Sequence, residues 1–332
     1  MDDNEFAEGI QRIWREENVE IFDATVVAAA EQLDVQPLAV EKDYWVCRAL
    51  RALENDHSGS FVFKGGTSLE KMRIVERFSE DLDLLVTGDY KSLGDAKRAI
   101  KDMCQTVATS CGSELTDAVS GGSLGTAWRR VFVEPPLKYG GVVETAIADN
   151  RQVQLELGQS GGPSPSRRRI VESLLTRQLI ESGFDDIDYL DLEPFETTVL
   201  DPGRTLLEKL MRVNDFSIRQ DHHDWQRIGR QFYDIWALLG SEEVIQFFDD
   251  RGEVELILQD CVRVSEMYGG AEPIPEGGFA YCAAFDLSSS IKDRLQTEHE
   301  SAMRDLYYGS GIPPTFEQTI ARILEHREIL AF

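Results

Sequence analysis

Phe61-Val62-Phe63-Lys64-Gly65-Gly66-Thr67-Ser68, followed after a short interval by Asp81-Leu82-Asp83-Leu84-Leu85-Val86, decides how this chain is read. The apolar run 61–63 predicts a strand that stops at the glycine pair, and Thr67-Ser68-Leu69-Glu70-Lys71-Met72 predicts a helix start. The second stretch alternates and then turns apolar, which predicts another strand. Glycines directly after a strand let backbone amides approach phosphate oxygens with no Cβ in the way. The helix behind them offers unpaired amides and the positive end of its dipole, and the hydroxyls of Thr67 and Ser68 add donors. Asp81 and Asp83 are two apart on a strand, so their carboxylates share a face. Like charges 4 Å apart repel by about 4 kcal/mol at an effective dielectric near 20. A hard divalent cation relieves that repulsion, and paired carboxylates beside nucleotide phosphates suit Mg²⁺, with Mn²⁺ the second candidate. Two such ions could clamp the attacking and leaving oxygens of a phosphoryl displacement. The competing reading is a plain glycine turn before a solvated acidic strand end. The strand–turn–helix–strand order favours a phosphate and metal site.

Around this unit, three- and four-residue apolar spacing predicts helices over 7–15, 25–33, 40–53 and 93–104. Strands are expected over 127–133, 142–147 and 152–157, and a Gly/Ser/Pro loop over 158–165 leads into Arg167-Arg168-Arg169. From about residue 201 the pattern is helical: 205–214, 224–239, 242–248, 254–267, 289–308 and 315–330. The fold class expected is α+β, a mixed sheet with helices followed by an all-helical C-terminal half. The expected domains are residues 1–200 and 201–332, in keeping with a length of 332 and roughly 150 residues per domain.

Composition narrows the function. With 42% hydrophobic residues the chain can bury a core, which excludes a wholly disordered protein. No apolar run reaches the roughly 18–20 residues of a membrane span. Met1-Asp2-Asp3-Asn4-Glu5 is acidic where a secretory signal would be basic and then apolar. Cys47, Cys104, Cys111, Cys261 and Cys282 are scattered and form no Cys-x-x-Cys pair, so neither a disulfide framework nor a zinc cage is expected. A cytoplasmic location is the expectation. Sixty acidic against 34 basic residues give a net charge of −26, which repels nucleic acid at long range. A nucleic-acid partner would therefore need a local basic patch.

Gly65-Gly66-Thr67-Ser68-Leu69 followed by Arg77-Phe78-Ser79-Glu80-Asp81-Leu82-Asp83-Leu84 resembles the AbiEii/MenT-type nucleotidyltransferases of the DNA-polymerase-β-like superfamily. Glu41-Lys42-Asp43-Tyr44-Trp45 is similar to that family's N-terminal helix, and Leu207-Glu208-Lys209-Leu210-Met211-Arg212 to its lysine motif. Arg230-Gln231-Phe232-Tyr233-Asp234 resembles its Arg-Asp-x-x-Asp motif, with Gln231 where an Asp is usual. The resemblance covers about residues 38–240. It implies a polymerase-β-like fold and a metal-dependent toxin of toxin–antitoxin or phage-defence systems. Such a toxin adds nucleotides from an NTP to the 3′ acceptor end of tRNA and is restrained by a cognate antitoxin. Nucleotidylation of a protein, or non-catalytic nucleotide sensing, is the alternative.

On that basis Asp81 and Asp83 would hold metal, and Gly65, Gly66, Thr67 and Ser68 would seat the triphosphate. Lys209, at the edge of an apolar helical stripe, would meet the outer phosphates as a point charge, or it is a solvated helix lysine. Arg230 and Asp234, four apart and opposite the stripe of Trp225, Ile228 and Phe232, would join the site or form an exposed ion pair worth about 0.3–0.5 kcal/mol. Glu156, isolated between Leu155 and Leu157, would be a third carboxylate or general base, or a solvent-facing strand residue. Arg129-Arg130 and Arg167-Arg168-Arg169, with Arg219, His222, His223 and Arg227, would make an RNA-facing rim or solvated loops.

Overall fold

The structure is a computed structural model that describes residues 12–79, 81–123, 126–140, 151–159, 161–184, 188–220, 225–267 and 270–332. The N-terminal part runs α1 (Trp14–Glu17), α2 (Val19–Leu33), α3 (Pro37–His57), β1 (Phe61–Lys64), α4 (Gly65–Lys71), β2 (Leu82–Val86) and α5 (Leu93–Ser110). It continues β3 (Leu115–Ser123), β4 (Thr126–Val133), β5 (Val153–Gly158), β6 (Ser166–Val171), α6 (Leu174–Glu181) and β7 (Phe195–Leu200). The helical part is α7 (Pro202–Arg219), α8 (Trp225–Leu238), α9 (Glu242–Phe247), α10 (Arg251–Met267), α11 (Lys292–Leu306) and α12 (Phe316–Glu325).

The strands form one seven-stranded mixed sheet in the order β3-β4-β5-β2-β1-β7-β6. β1–β7 and β2–β5 are parallel and the other pairs antiparallel. The two faces of the sheet divide the labour. Phe61, Phe63, Leu82, Leu84, Val131 and Leu155 point to one side and are buried with Phe22, Val26, Leu50 and Leu53 of α2 and α3 and Ile100 and Met103 of α5. Residues of the other parity face the helical half: Val62, Leu85 and Leu200 make a small apolar cluster there, and the polar residues beyond them line the cleft. This is the period-two alternation of a sheet with one committed core face.

A second core belongs to α7–α12, with Leu206, Leu210 and Val213 of α7 against Ile228, Phe232 and Ile235 of α8. α7 starts cleanly because the Asp201 carboxylate accepts the Gly203 N–H at 2.9 Å and Pro202 needs no donor partner. α8 and α11 cross closely at Gly229, where a Cβ would lie 2.1 Å from the Glu298 carbonyl oxygen. The segment between α4 and β2 threads into the helical half: the Glu76 N–H donates to the Tyr233 hydroxyl at 2.9 Å, and Phe78 N–H donates to Leu306 O at 2.8 Å.

The expected α+β class and helical C-terminal half are what the structure has. Four elements depart from expectation. β3, α6 and β7 were not anticipated, and the Arg167-Arg168-Arg169 run lies on β6, paired with β7, where a loop was expected. β7 (Phe-Glu-Thr-Thr-Val-Leu) is half polar, and β3 carries Asp117, Gly121 and Gly122, residues that read as turn. The strand expected over 142–147, the first helix before Arg12, and His222 and His223 lie outside the described residues.

Candidate active site

The sheet register brings four charged residues into a row. Lys64 on β1 pairs with Asp83 on β2, Asp83 with Glu156 on β5, and Glu156 with Arg130 on β4. Directly paired residues share a face, so the row runs cation, carboxylate, carboxylate, cation across four strands. Asp81, two residues before Asp83, joins the same face. Above the row stand Lys209 of α7 and Arg230 and Gln231 of α8, and the space between is a cleft of about 570 Å³. A second cavity of about 430 Å³ adjoins it through Lys64, Glu208 and Arg212, with Arg219 in its wall.

The turn at Gly65-Gly66 is built for close approach. Gly65 has φ +83°, and a Cβ there would lie 2.3 Å from Asp83 Oδ2. Burial, and next the charge of Asp81, push the Asp83 carboxyl up to about 6. The charges of Lys64 and Arg230 pull the other way without cancelling it. Among the described residues no group of three His, Cys, Asp or Glu side chains is placed to hold a metal ion. The donor set is instead two hard carboxylates facing an open cleft. It fits Mg²⁺, which keeps waters and takes substrate phosphate oxygens for the rest of its shell.

The helical wall is cationic and braced from beneath. Asp234 is wholly buried and takes both Arg77 Nε and Nη2 at 2.6 Å, and Lys209 Nζ at 2.7 Å. Burial alone would raise its pKa, but the Arg77 and Lys209 charges hold it down at about 2. Burial lowers the Lys209 pKa, against the pull of Asp234, and the Arg230 pKa likewise, with the Arg77 charge adding to the effect. Gln231 Oε1 accepts from Lys209 Nζ at 2.9 Å. The residue that departs from the family motif therefore keeps hold of the lysine while contributing no negative charge.

Asp81, Asp83, Gly65, Gly66, Lys209, Arg230 and Glu156 all line this one cleft. Two expectations are corrected. Thr67 and Ser68 turn inward: Thr67 Oγ1 donates to Asp81 O at 2.5 Å and accepts from the Ser79 hydroxyl at 2.9 Å, and Ser68 Oγ donates to Gly65 O at 2.8 Å. Their hydroxyls are spent holding the turn and the start of β2 together, while the hydroxyl residues that line the cleft are Ser79 and Thr205. Asp234 does not face solvent opposite the apolar stripe, because Arg77 enters from the other half and buries it. Arg167, Arg168 and Arg169 stay out of the cleft and are tied to Asp201, Glu243, Glu54 and Glu196. Arg130 reaches the cleft, where its guanidinium lies 3.2 Å from Glu156, and so does Arg227.

Lys64, Arg77, Ser79 and Trp128 line the cleft as well, beyond the residues expected there. The first three lie in or beside the quoted motif. Trp128 carries no local signal.

A family model described as "Nucleotidyl transferase AbiEii toxin, Type IV TA system" matches residues 48–322. No curated protein matches the chain. Among solved structures, a chain described as "putative nucleotidyltransferase from H. pylori" aligns with 81% of this chain and 98% of its own, at 12% identity and a TM-score of 0.34.

Proposed function

The chain belongs to the AbiEii nucleotidyltransferase toxin family, and from that premise we propose that it transfers a nucleoside monophosphate from an NTP to the 3′ end of tRNA, blocking translation until an antitoxin restrains it. The observation that carries the reading is the polarity of the cleft. A carboxylate floor of Asp81, Asp83 and Glu156 faces a cationic wall of Lys209 and Arg230.

A triphosphate lies naturally across that divide. Its outer phosphates meet Lys209 and Arg230 beside the turn at Gly65-Gly66, which lines the same cleft. Asp81 and Asp83 would hold a divalent cation, Mg²⁺ or Mn²⁺, which when bound supplies positive charge at the reacting phosphate. Lys209 is kept in place by Asp234 and Gln231, so its ammonium is aimed before substrate arrives. In the reaction the acceptor 3′-oxygen forms a bond to the α-phosphorus, the bond from that phosphorus to the bridging oxygen breaks, and pyrophosphate leaves. Glu156, on the strand beside Asp83, is placed to take the hydroxyl proton.

The test is incubation of a cell extract with purified protein and each α-labelled NTP in turn, followed by separation of RNA from protein. Label at the 3′ end of tRNA is the expected result. Label on protein alone would move the target to a protein hydroxyl. Expression of the wild type should arrest growth, whereas Asp83→Asn should not.

A further inference from the structure

We propose that Trp128 and Arg130 on β4 form the seat of the acceptor's terminal nucleotide, the indole stacking on its base and the guanidinium meeting its phosphate. This rests on the nucleotidyl-transfer reading and deepens it by naming the residues that would hold the acceptor's terminal nucleotide.

The cleft has two ends, and the chemistry distinguishes them. Gly65 and Gly66 lie at the end of β1, and Lys209 is tied to that end through Asp234 and Arg77, whose Nη2 would lie 2.6 Å from a Cβ on Gly66; this is the triphosphate end, with Asp83 on β2 in the middle of the row. An in-line displacement brings the attacking oxygen in opposite the departing pyrophosphate. The acceptor must therefore come from the side of β5 and β4, past Glu156. Trp128 and Arg130 line that side.

Trp128 is the exception among the five tryptophans of the chain. Trp14, Trp45, Trp225 and Trp236 all pack against rings or guanidinium groups of the protein. The indole of Trp128, whose backbone is paired within the sheet, has no hydrogen bond or ring contact with any described residue and is half-buried in the cleft wall. Its partner across the ladder is Gly158, which has no side chain to cover the indole. A half-buried aromatic face beside a guanidinium suits a nucleobase, because every base has a π-face. A protein hydroxyl would leave the indole unused. Arg130 is paired with Glu156 at 3.2 Å with both side chains about 40% exposed (40% and 42%), so an incoming phosphate can take the guanidinium in exchange. A stacking seat also suits a body of charge −26, since it draws little on long-range attraction.

The experiment measures binding of a three-nucleotide RNA with a free 3′-hydroxyl, and of NTP, to the full chain and to Trp128→Ala and Trp128→Phe. Thermal unfolding checks that each variant folds, and labelled transfer to RNA is run in parallel. Trp128→Ala is expected to weaken RNA binding, and to raise the KM for RNA, by about five- to a hundredfold. NTP affinity should stay unchanged, and Trp128→Phe should retain most of the RNA binding. Undiminished RNA binding in a folded Trp128→Ala overturns the proposal. Loss of NTP affinity equal to the loss of RNA affinity also overturns it, since the indole would then hold the donor base. Transfer onto protein and never onto RNA overturns the acceptor assignment but leaves nucleotidyl transfer standing. RNA binding that depends on Trp128 in a wild type that transfers nothing would uphold the seat and sink the enzymatic reading.

Discussion

Two buried ionic groups flank helix α4, and only one of them is balanced. Behind the helix, Lys71 pairs with Asp43 and, at 2.7 Å, with Glu70. Arg177 meets Glu70 at 3.2 Å, and the Tyr308 hydroxyl donates to Glu70 at 2.6 Å. With Glu172, which meets Arg177 at 3.4 Å and also pairs with Arg73, three acids face three bases there, and Asp43, Glu70 and Lys71 are within a few percent of full burial. In front of the helix, Arg77, Lys209 and Arg230 have a single buried carboxylate, Asp234, between them, while Asp81 and Asp83 crowd together on the floor. Charge that only ties elements together is neutralised on the spot, because an unpaired buried charge costs several kcal/mol. Charge left separated across an open cleft suits a ligand that brings opposite charge to each side. The Glu41-Lys42-Asp43-Tyr44-Trp45 motif falls on the balanced side. Glu41 accepts the N–H groups of Lys138 and Tyr139, and the Tyr44 hydroxyl donates to Asp191 at 2.6 Å. It is scaffold for the sheet's covered face.

Opposite substitutions should separate the two groups. Asp83→Asn is expected to cut turnover by about 10³-fold or more while leaving the melting temperature equal or slightly higher, because it relieves repulsion with Asp81. Retained turnover would break the comparison. Lys71→Met should do the reverse. It strands Asp43 and Glu70, lowers stability by about 3–5 kcal/mol in denaturant titration, and leaves turnover per folded molecule unchanged. A milder effect is expected of Lys209→Ala, which should weaken NTP binding about tenfold or more and nucleoside monophosphate binding far less. Equal losses would mean that the lysine does not face the outer phosphates.

The smallest effect is in pH. The Asp234 carboxyl is held at about 2 when folded, below its ordinary value near 4. Its stabilisation is therefore fully present above about pH 4 and is lost as pH falls from there through 2. Asp234→Asn should remove that part of the acid limb in a stability-versus-pH profile, and an unchanged limb would show that Asp234 is not the group responsible.

Short-range features were legible in the sequence. The glycine pair, the Asp-x-Asp strand and the apolar stripes of α7 and α8 all announce themselves within a few residues, because turn chemistry and periodicity are local. What was hidden depends on distant partners. Asp234 looked solvent-facing on its own helix, and only Arg77, 157 positions earlier, makes it the buried keystone of the wall. Three consecutive arginines looked like loop, and they form the edge strand β6 because β7 pairs with them and remote carboxylates neutralise them. Thr67 and Ser68 looked like phosphate donors until the turn claimed their hydroxyls. The row from Lys64 to Arg130 exists only in the sheet register, which no single stretch encodes. The resemblance read over about 38–240 differs from the family match at both ends, since the match begins at residue 48, after the 41–45 motif, and runs on to residue 322 through the helical half.

The central claim is that this cleft directs attack to the α-phosphate of an NTP. It is tested most directly by supplying RNA and purified protein with NTP labelled at either the α- or the γ-phosphorus. The account predicts α-label joined to the RNA 3′ end and γ-label released as pyrophosphate, both abolished in Asp83→Asn. Label from the γ-phosphorus on the acceptor, or α-label transfer that survives Asp83→Asn, would contradict it.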